Sequence, residues 1–193
     1  MSDEDRLKWD ARYRNVDETP REPAAFLCAL SEILPRAGRA LDIAGGAGRN
    51  ALWLARRGLE VTLTDISPVG LALAEEEARA RGLSLCTLAL DLERDPLPPG
   101  PWDLILCFFY LHRPLFAHLP RLLAPGGLFV VVHPTRTNLL RHPSPSARFL
   151  LEDGELPALV SGAGGLEPIA YEEGWFDDGR HLARLVARKA LSP

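Results

Sequence analysis

The chain alternates dense apolar runs with segments of helical spacing, and that alternation restricts the fold more than any other feature. "ALDI", "LEVTLTD" ending at Asp65, "LSLCTLALD" ending at Asp91, "PWDLILCFFY" ending at Tyr110 and "LFVVVH" ending at His133 each read as a strand. Between the first three lie "RNALWLARRG", closing on Gly58, and "SPVGLALAEEEARARG", which opens on a Ser-Pro pair suited to a helix cap and closes on Gly82. Strands apolar on both faces must be covered on both, so the pattern predicts an α/β fold with a mostly parallel sheet between helices. "PAAFLCALSEIL" from Pro23 and "PLFAHLPRLLAPGG" before the fifth strand predict two further helices. The end differs: "LEPIAYEEGW" and "HLARLVARKA" flank the turn "FDDGR" and predict an antiparallel hairpin. A length of 193 residues without a long linker predicts one domain. Residues 1–37 are expected as an N-terminal helical cap, and the proline-rich, polar stretch 134–154 as a substrate lid after a strand end.

The turn after "ALDI" carries the first functional signal. Gly46-x-Gly48-x-x-Ala51 satisfies a loose dinucleotide pattern, and a helix N-terminus welcomes a pyrophosphate. Asp42 argues against that occupant. At an effective dielectric of about 20, two like charges about 6 Å apart repel by roughly 3 kcal/mol. S-adenosylmethionine carries a sulfonium and an ammonium and no phosphate, so the same acid attracts it. The glycines let the backbone approach its amino-acid end, whose carboxylate their N–H groups can meet. Asp65 and Asp91 end the next two strands, where a ligand of a parallel sheet sits, and suit ribose hydroxyls and an adenine amino group.

Composition narrows the partners. The net charge is −4 and no basic run stands out, which gives no support for nucleic-acid binding. Cys28, Cys86 and Cys107 are widely spaced among apolar neighbours and read as buried thiols rather than a disulfide frame. No His, Asp or Glu cluster has metal-ligand spacing, so no metal is expected. The charged N-terminus is not a secretion signal, and no apolar run is long enough to span a membrane, so a cytoplasmic protein is expected. Oligomeric state has no signature in the sequence.

"LDIAGGAGRNALWLA", "VTLTDIS", "PWDLILCFFYLHRPLF" and "LLAPGGLFVVV" resemble the successive motifs of the class I S-adenosylmethionine-dependent methyltransferases. "WDARY", "YLHR" and "YEEG…HLARLVARK" are similar to the small bacterial enzymes of the tellurite-resistance and thiopurine type. The resemblance implies a Rossmann-like sheet of seven strands with an antiparallel final strand, S-adenosylmethionine as cofactor and S-adenosylhomocysteine as product. It also implies that Asp42 and the Gly46–Gly48 backbone hold the methionine end, Asp65 the ribose, and Asp91 with Leu92 the adenine. Ala44, Gly45, Asn50, Ile66 and Cys107 complete the expected cofactor set, with Trp9 and Tyr13 folding over it. Ala44 departs from the family's usual glycine, which is tolerable if its backbone angle stays negative.

Methyl transfer from a sulfonium needs alignment and exclusion of water rather than a nucleophilic side chain. Tyr110, His112 and Arg113 after the fourth strand and His133 at the end of the fifth are the expected acceptor-positioning residues, with Arg113 suited to an anionic acceptor. Equally open is a packing role for Tyr110, with His112 and Arg113 capping the next helix. The short chain and its charge balance favour a small-molecule acceptor. A nicotinamide-dependent oxidoreductase and a non-catalytic cofactor-binding scaffold are the alternatives.

Overall fold

The computed structural model describes residues 3–15 and 20–191. Its helices are α1 (Asp3–Arg14), α2 (Ala25–Ala29), α3 (Arg49–Arg56), α4 (Pro68–Ala80), α5 (Leu119–Leu122) and α6 (Glu155–Gly162). Its strands are β1 (Arg39–Ile43), β2 (Glu60–Asp65), β3 (Cys86–Ala89), β4 (Trp102–Phe108), β5 (Leu123–Pro134), β6 (Leu166–Trp175) and β7 (His181–Lys189). The seven strands form one mixed sheet in the order β3-β2-β1-β4-β5-β7-β6. No helix among the described residues is long and apolar enough to cross a membrane.

The chain divides into two compact units between Ile105 and Leu106. In the first, β1 pairs parallel with β2, and β2 with β3. Leu41, Ile43 and Leu63 are wholly buried, as the apolar runs require, whereas β3 is largely exposed because it forms the sheet edge. The Ser-Pro pair does start a helix: Ser67 caps α4, its hydroxyl accepting from the Gly70 amide at 3.1 Å, with Pro68 in the first turn.

In the second unit, β7 runs antiparallel to both β5 and β6. Phe129, Val130, Val131 and Val132 of β5 are buried in succession, on both faces of the strand. The outer strand β6 is mostly exposed, carries Glu167, Glu172 and Glu173, and has a register irregularity between Pro168 and Ala170. Charge, proline and an irregular register are how a sheet edge avoids pairing with another chain.

Several boundaries differ from the sequence reading. The helix from Pro23 is regular only over Ala25–Ala29, after which three-residue turns such as Ile33 N–H to Leu30 O carry the chain to Leu34. "PLFAHLPRLLAPGG" is a 3₁₀ turn over Arg113–His118 and the single turn α5, and β5 already begins at Leu123. The third strand stops at Ala89, two residues before Asp91. Cys86 is exposed and Cys28 half-buried; only Cys107 is a buried thiol.

Candidate active site

In the first unit, the β1–α3 turn is built around acids that lie beneath it. Asp42 is 1% exposed, and among the described residues neither of its carboxylate oxygens has a hydrogen-bond partner. Burial pushes its pKa up to about 7, against the opposing pull of the Arg49 guanidinium and the Ala51 amide. A Cβ on Gly45 would lie 2.5 Å from both Asp42 Oδ2 and Leu63 Cδ1, so the glycine exists to let this carboxylate lie under the turn. Ala44 takes φ +54°, which overturns the condition of a negative angle and costs about 1 kcal/mol relative to a relaxed residue.

Asp65 is held by the backbone on both oxygens. Oδ2 accepts from Gly46 N–H at 2.8 Å and Oδ1 from Ser67 N–H at 2.9 Å. Burial raises its pKa, and these amides with that of Ile66 oppose the rise. The expectation that the glycine amides meet a ligand carboxylate is not what the turn shows. Gly45 N–H donates to Thr64 O, Gly46 N–H to Asp65 and Gly48 N–H to Gly45 O. Asn50 likewise accepts from Ala24 N–H at 2.9 Å, tying the start of α2 to α3. Ile66 and Leu92 are buried, and Asp91 is half-buried, accepting from Glu93 N–H at 3.0 Å.

The N-terminal helix closes over this turn. Asp10, 3% exposed, accepts from the Ser67 hydroxyl at 2.5 Å and pairs with Arg6 at 3.4 Å. That bond brings Tyr13, stacked on Trp9, onto the glycines. The Tyr13 hydroxyl lies where a Cβ of Gly46 would be, and a Cβ on Gly70 would stand 2.9 Å from Tyr13 Cδ2. Burial and the charge of Asp65 raise the phenol's pKa. Asp10 was missed by the sequence reading and nothing marked it. Gly70 left a usable signal, because a glycine inside a helix marks a close approach.

In the second unit, Phe109 follows β4 with φ +61°, a conformation rare for a bulky residue, and donates its N–H to Val132 O at 2.8 Å. The Cys107 thiol donates to Tyr110 O at 3.4 Å. Tyr110 and His112 are half-buried. The Arg113 guanidinium forks onto Glu155 at 2.5 and 2.7 Å and donates to Leu150 O at 3.1 Å. His133 is 4% exposed, and burial lowers its pKa to about 4. Its Nε2 lies 2.7 Å from Phe149 O and must carry the proton, which leaves Nδ1 a buried lone pair with no partner among the described residues.

The stretch expected as a lid is pinned at both ends. Leu151 N–H donates to Pro134 O, Arg136 N–H to Leu151 O, and His142 Nε2 donates to Gly179 O at 2.8 Å. One group has ligand atoms spaced for an ion, Asp153, Glu173 and His181, all within 4.8 Å of one another. Each already has a partner: Asp153 accepts from Thr137, Glu173 from Tyr171 at 2.5 Å, and His181 Nδ1 lies 2.7 Å from the Thr135 hydroxyl.

Residues 40–127, from β1 into the start of β5, match the methyltransferase-domain family. The match covers a little under half of the 193 residues, so it marks the chain as similar to methyltransferase domains. Among curated relatives, the Escherichia coli tRNA 5-carboxymethoxyuridine methyltransferase is 31% identical over 121 residues, 58% of this chain and 46% of that protein. The Thermus thermophilus ribosomal protein L11 methyltransferase is 32% identical over 124 residues, 63% of this chain and 46% of that protein. The chain therefore spans less than half the length of either. Among solved structures, TehB from Haemophilus influenzae superposes with a TM-score of 0.72 at 20% identity, covering 86% of this chain and 62% of that one. The residues present fit S-adenosylmethionine, the cofactor that the sequence motifs imply: a buried carboxylate without a hydrogen-bond partner among the described residues is a place for a cation, and Asp42 supplies it at the tip of β1.

Proposed function

We propose that this domain transfers a methyl group from S-adenosylmethionine to a small-molecule acceptor by in-line displacement. The observation that carries the reading is Asp42, a buried carboxylate with no hydrogen-bond partner within normal geometry among the described residues and eased by the Arg49 charge and the Ala51 amide, beneath a glycine turn. Such a group is stable only protonated or beside a cation, and a pyrophosphate would make matters worse. When bound, the cofactor supplies a methyl on a positively charged sulfur and leaves as S-adenosylhomocysteine.

The chain's residues do the rest by placement. Asp42 takes the cationic amino-acid end. Asp65 keeps the turn in shape through one lone pair on each oxygen and offers the others to ribose hydroxyls. Asp91 and Leu92 flank the adenine, while Trp9 and Tyr13 cover the cofactor and exclude water. The residues expected to position the acceptor belong to the second unit, where neutral His133 offers Nδ1 as a hydrogen-bond acceptor and Tyr110, His112 and Arg113 share the positioning role. Arg113 acts there through its fork to Glu155, which fixes the start of α6. A net charge of −4 supports a small acceptor over a nucleic acid, although the relatives named above include a tRNA enzyme.

Calorimetric titration with S-adenosylhomocysteine, with NAD as control and with Asp42→Asn and Asp65→Ala, tests this. Micromolar binding of the first ligand alone, weakened in both variants, is expected. Binding of NAD in its place overturns the reading.

A further inference from the structure

The hairpin tip and the segment 136–142 hold two arginines in a common chemical state. Arg141 lies 3.8 Å over the Trp175 ring, and Arg180 lies 5.4 Å over the Phe109 ring. Both residues are exposed, and no carboxylate among the described residues lies within ion-pair reach of either guanidinium. A stacked guanidinium has its face covered and its N–H edge open, which is the geometry that grips an oxyanion with two parallel bonds. Two acids share the turn with Arg180. Asp178 accepts from the backbone N–H of Arg180 at 3.1 Å, and Asp177 is exposed on the same turn.

The two arginines belong to one end of the unit. His142, next to Arg141, donates to Gly179 O, next to Arg180. Trp175 faces His181 across the hairpin, with the rings 5.2 Å apart edge to face. Phe109, under Arg180, is bonded to Val132, the residue before His133. The open guanidinium edges therefore stand beside the ends of β4 and β5, where the acceptor-positioning residues begin. The segment 134–151 contains Arg136, Arg141 and Arg148 and no acid, in a chain whose net charge is −4. Arg180 stands alone as a base on a turn that also carries Asp177 and Asp178, so the basic character is that of one short segment and one added arginine, which suits a single anionic group. A polyanion needs an extended basic stripe.

We infer that the methyl acceptor carries an oxyanion group, a carboxylate or a phosphate, gripped by Arg180 and Arg141. The inference rests on the proposed methyl transfer for the word acceptor, while the anion site itself stands on the arginines alone. The sequence reading assigned an anion to Arg113, whose guanidinium is instead forked onto Glu155.

The test titrates the full chain, with and without saturating S-adenosylhomocysteine, with benzoate, phenyl phosphate, neutral benzamide and a short RNA oligonucleotide. One of the two anions is expected to bind and benzamide is not, and the tighter anion names the group. Arg180→Gln and Arg141→Gln should each weaken that anion by about tenfold or more, as loss of a charge-assisted bond implies, with affinity for S-adenosylhomocysteine unchanged. Failure of both anions to bind, equal anion affinity in the variants, or a matching loss of S-adenosylhomocysteine binding overturns the inference. So does RNA binding more tightly than either anion and falling in the same variants. Failure of S-adenosylhomocysteine to bind the unaltered chain counts against the methyltransferase reading and leaves the anion titration interpretable.

Discussion

Lowering the pH should strip the cofactor from this domain through one residue. Only ionised Asp42 attracts a cation, and its pKa stands at about 7 because the carboxylate is buried. About nine in ten copies are then ionised at pH 8 and about one in ten at pH 6. Affinity for S-adenosylhomocysteine, which keeps the ammonium, should fall about tenfold between those values, or about 1.4 kcal/mol. Below pH 6 it should continue to fall by about one decade per pH unit. Binding at pH 7 should also release about half a proton, read from calorimetric heats in buffers of different ionisation enthalpy. Asp65 also has a raised pKa, so the decisive control is Asp42→Asn. That variant should bind weakly at every pH, with the slope lost. A flat affinity from pH 5.5 to 8 in the unaltered chain, or a slope that persists in Asp42→Asn, refutes the role given to this carboxylate.

Three further outcomes follow from the same geometry. Ala44→Gly relieves a left-handed alanine and should raise stability by about 1 kcal/mol and Tm by about 2–4 °C in a domain of this size; an unchanged or lower Tm counts against strain at this position. Asp42→Asn should stabilise the cofactor-free protein at pH 8, by at most on the order of 4 kcal/mol, and not at pH 3.5. The sign follows from a folded pKa above the unfolded one: the native state is favoured while the acid is protonated and loses that advantage as pH rises through about 7. Denaturant melts at the two pH values decide it, and equal gains at both would refute the assignment. Gly70→Ala should destabilise the chain because its methyl meets the Tyr13 ring, and in a Tyr13→Ala background it should cost less, with the Gly46 backbone carbon 3.3 Å away still in contact. Additive effects in that double-mutant cycle would mean that the ring does not rest on Gly70.

Much of the fold was legible because burial on both faces leaves a dense apolar signature. Leu41, Ile43, Leu104 and Val130 announce strands that nothing else in the chain could be. The short helices were not legible, since "PAAFLCALSEIL" has helical spacing whether its turns close as α-helix or as 3₁₀, and tertiary packing decides. Asp42 could be singled out by charge logic, but its lack of partners is a three-dimensional fact. The glycine turn misled at a finer level. Its amides looked available for a ligand, and Thr64 and Asp65 use them because bare turns near a strand end rarely leave donors unpaired. Arg113 and Arg180 show the same limit, as nothing in the spacing reveals that Glu155 sits against the first and an aromatic ring beneath the second.

The wedge of Tyr13 against two glycines has a consequence for how such chains diverge. Gly46 is fixed twice, by its left-handed backbone and by the ring above it, so losing the ring would not free it. Gly70 has ordinary helical backbone and is held chiefly by the ring, with the Gly46 backbone carbon 3.3 Å from where its Cβ would stand. A lineage that exchanges the tyrosine for a smaller residue relieves the tightest contact at position 70 and leaves the Gly46 backbone as the neighbour an alanine there would meet. Positions 13 and 70 should therefore drift as a linked pair across descendants of this sequence, while position 46 stays glycine throughout, even though both glycines lie against the same phenol.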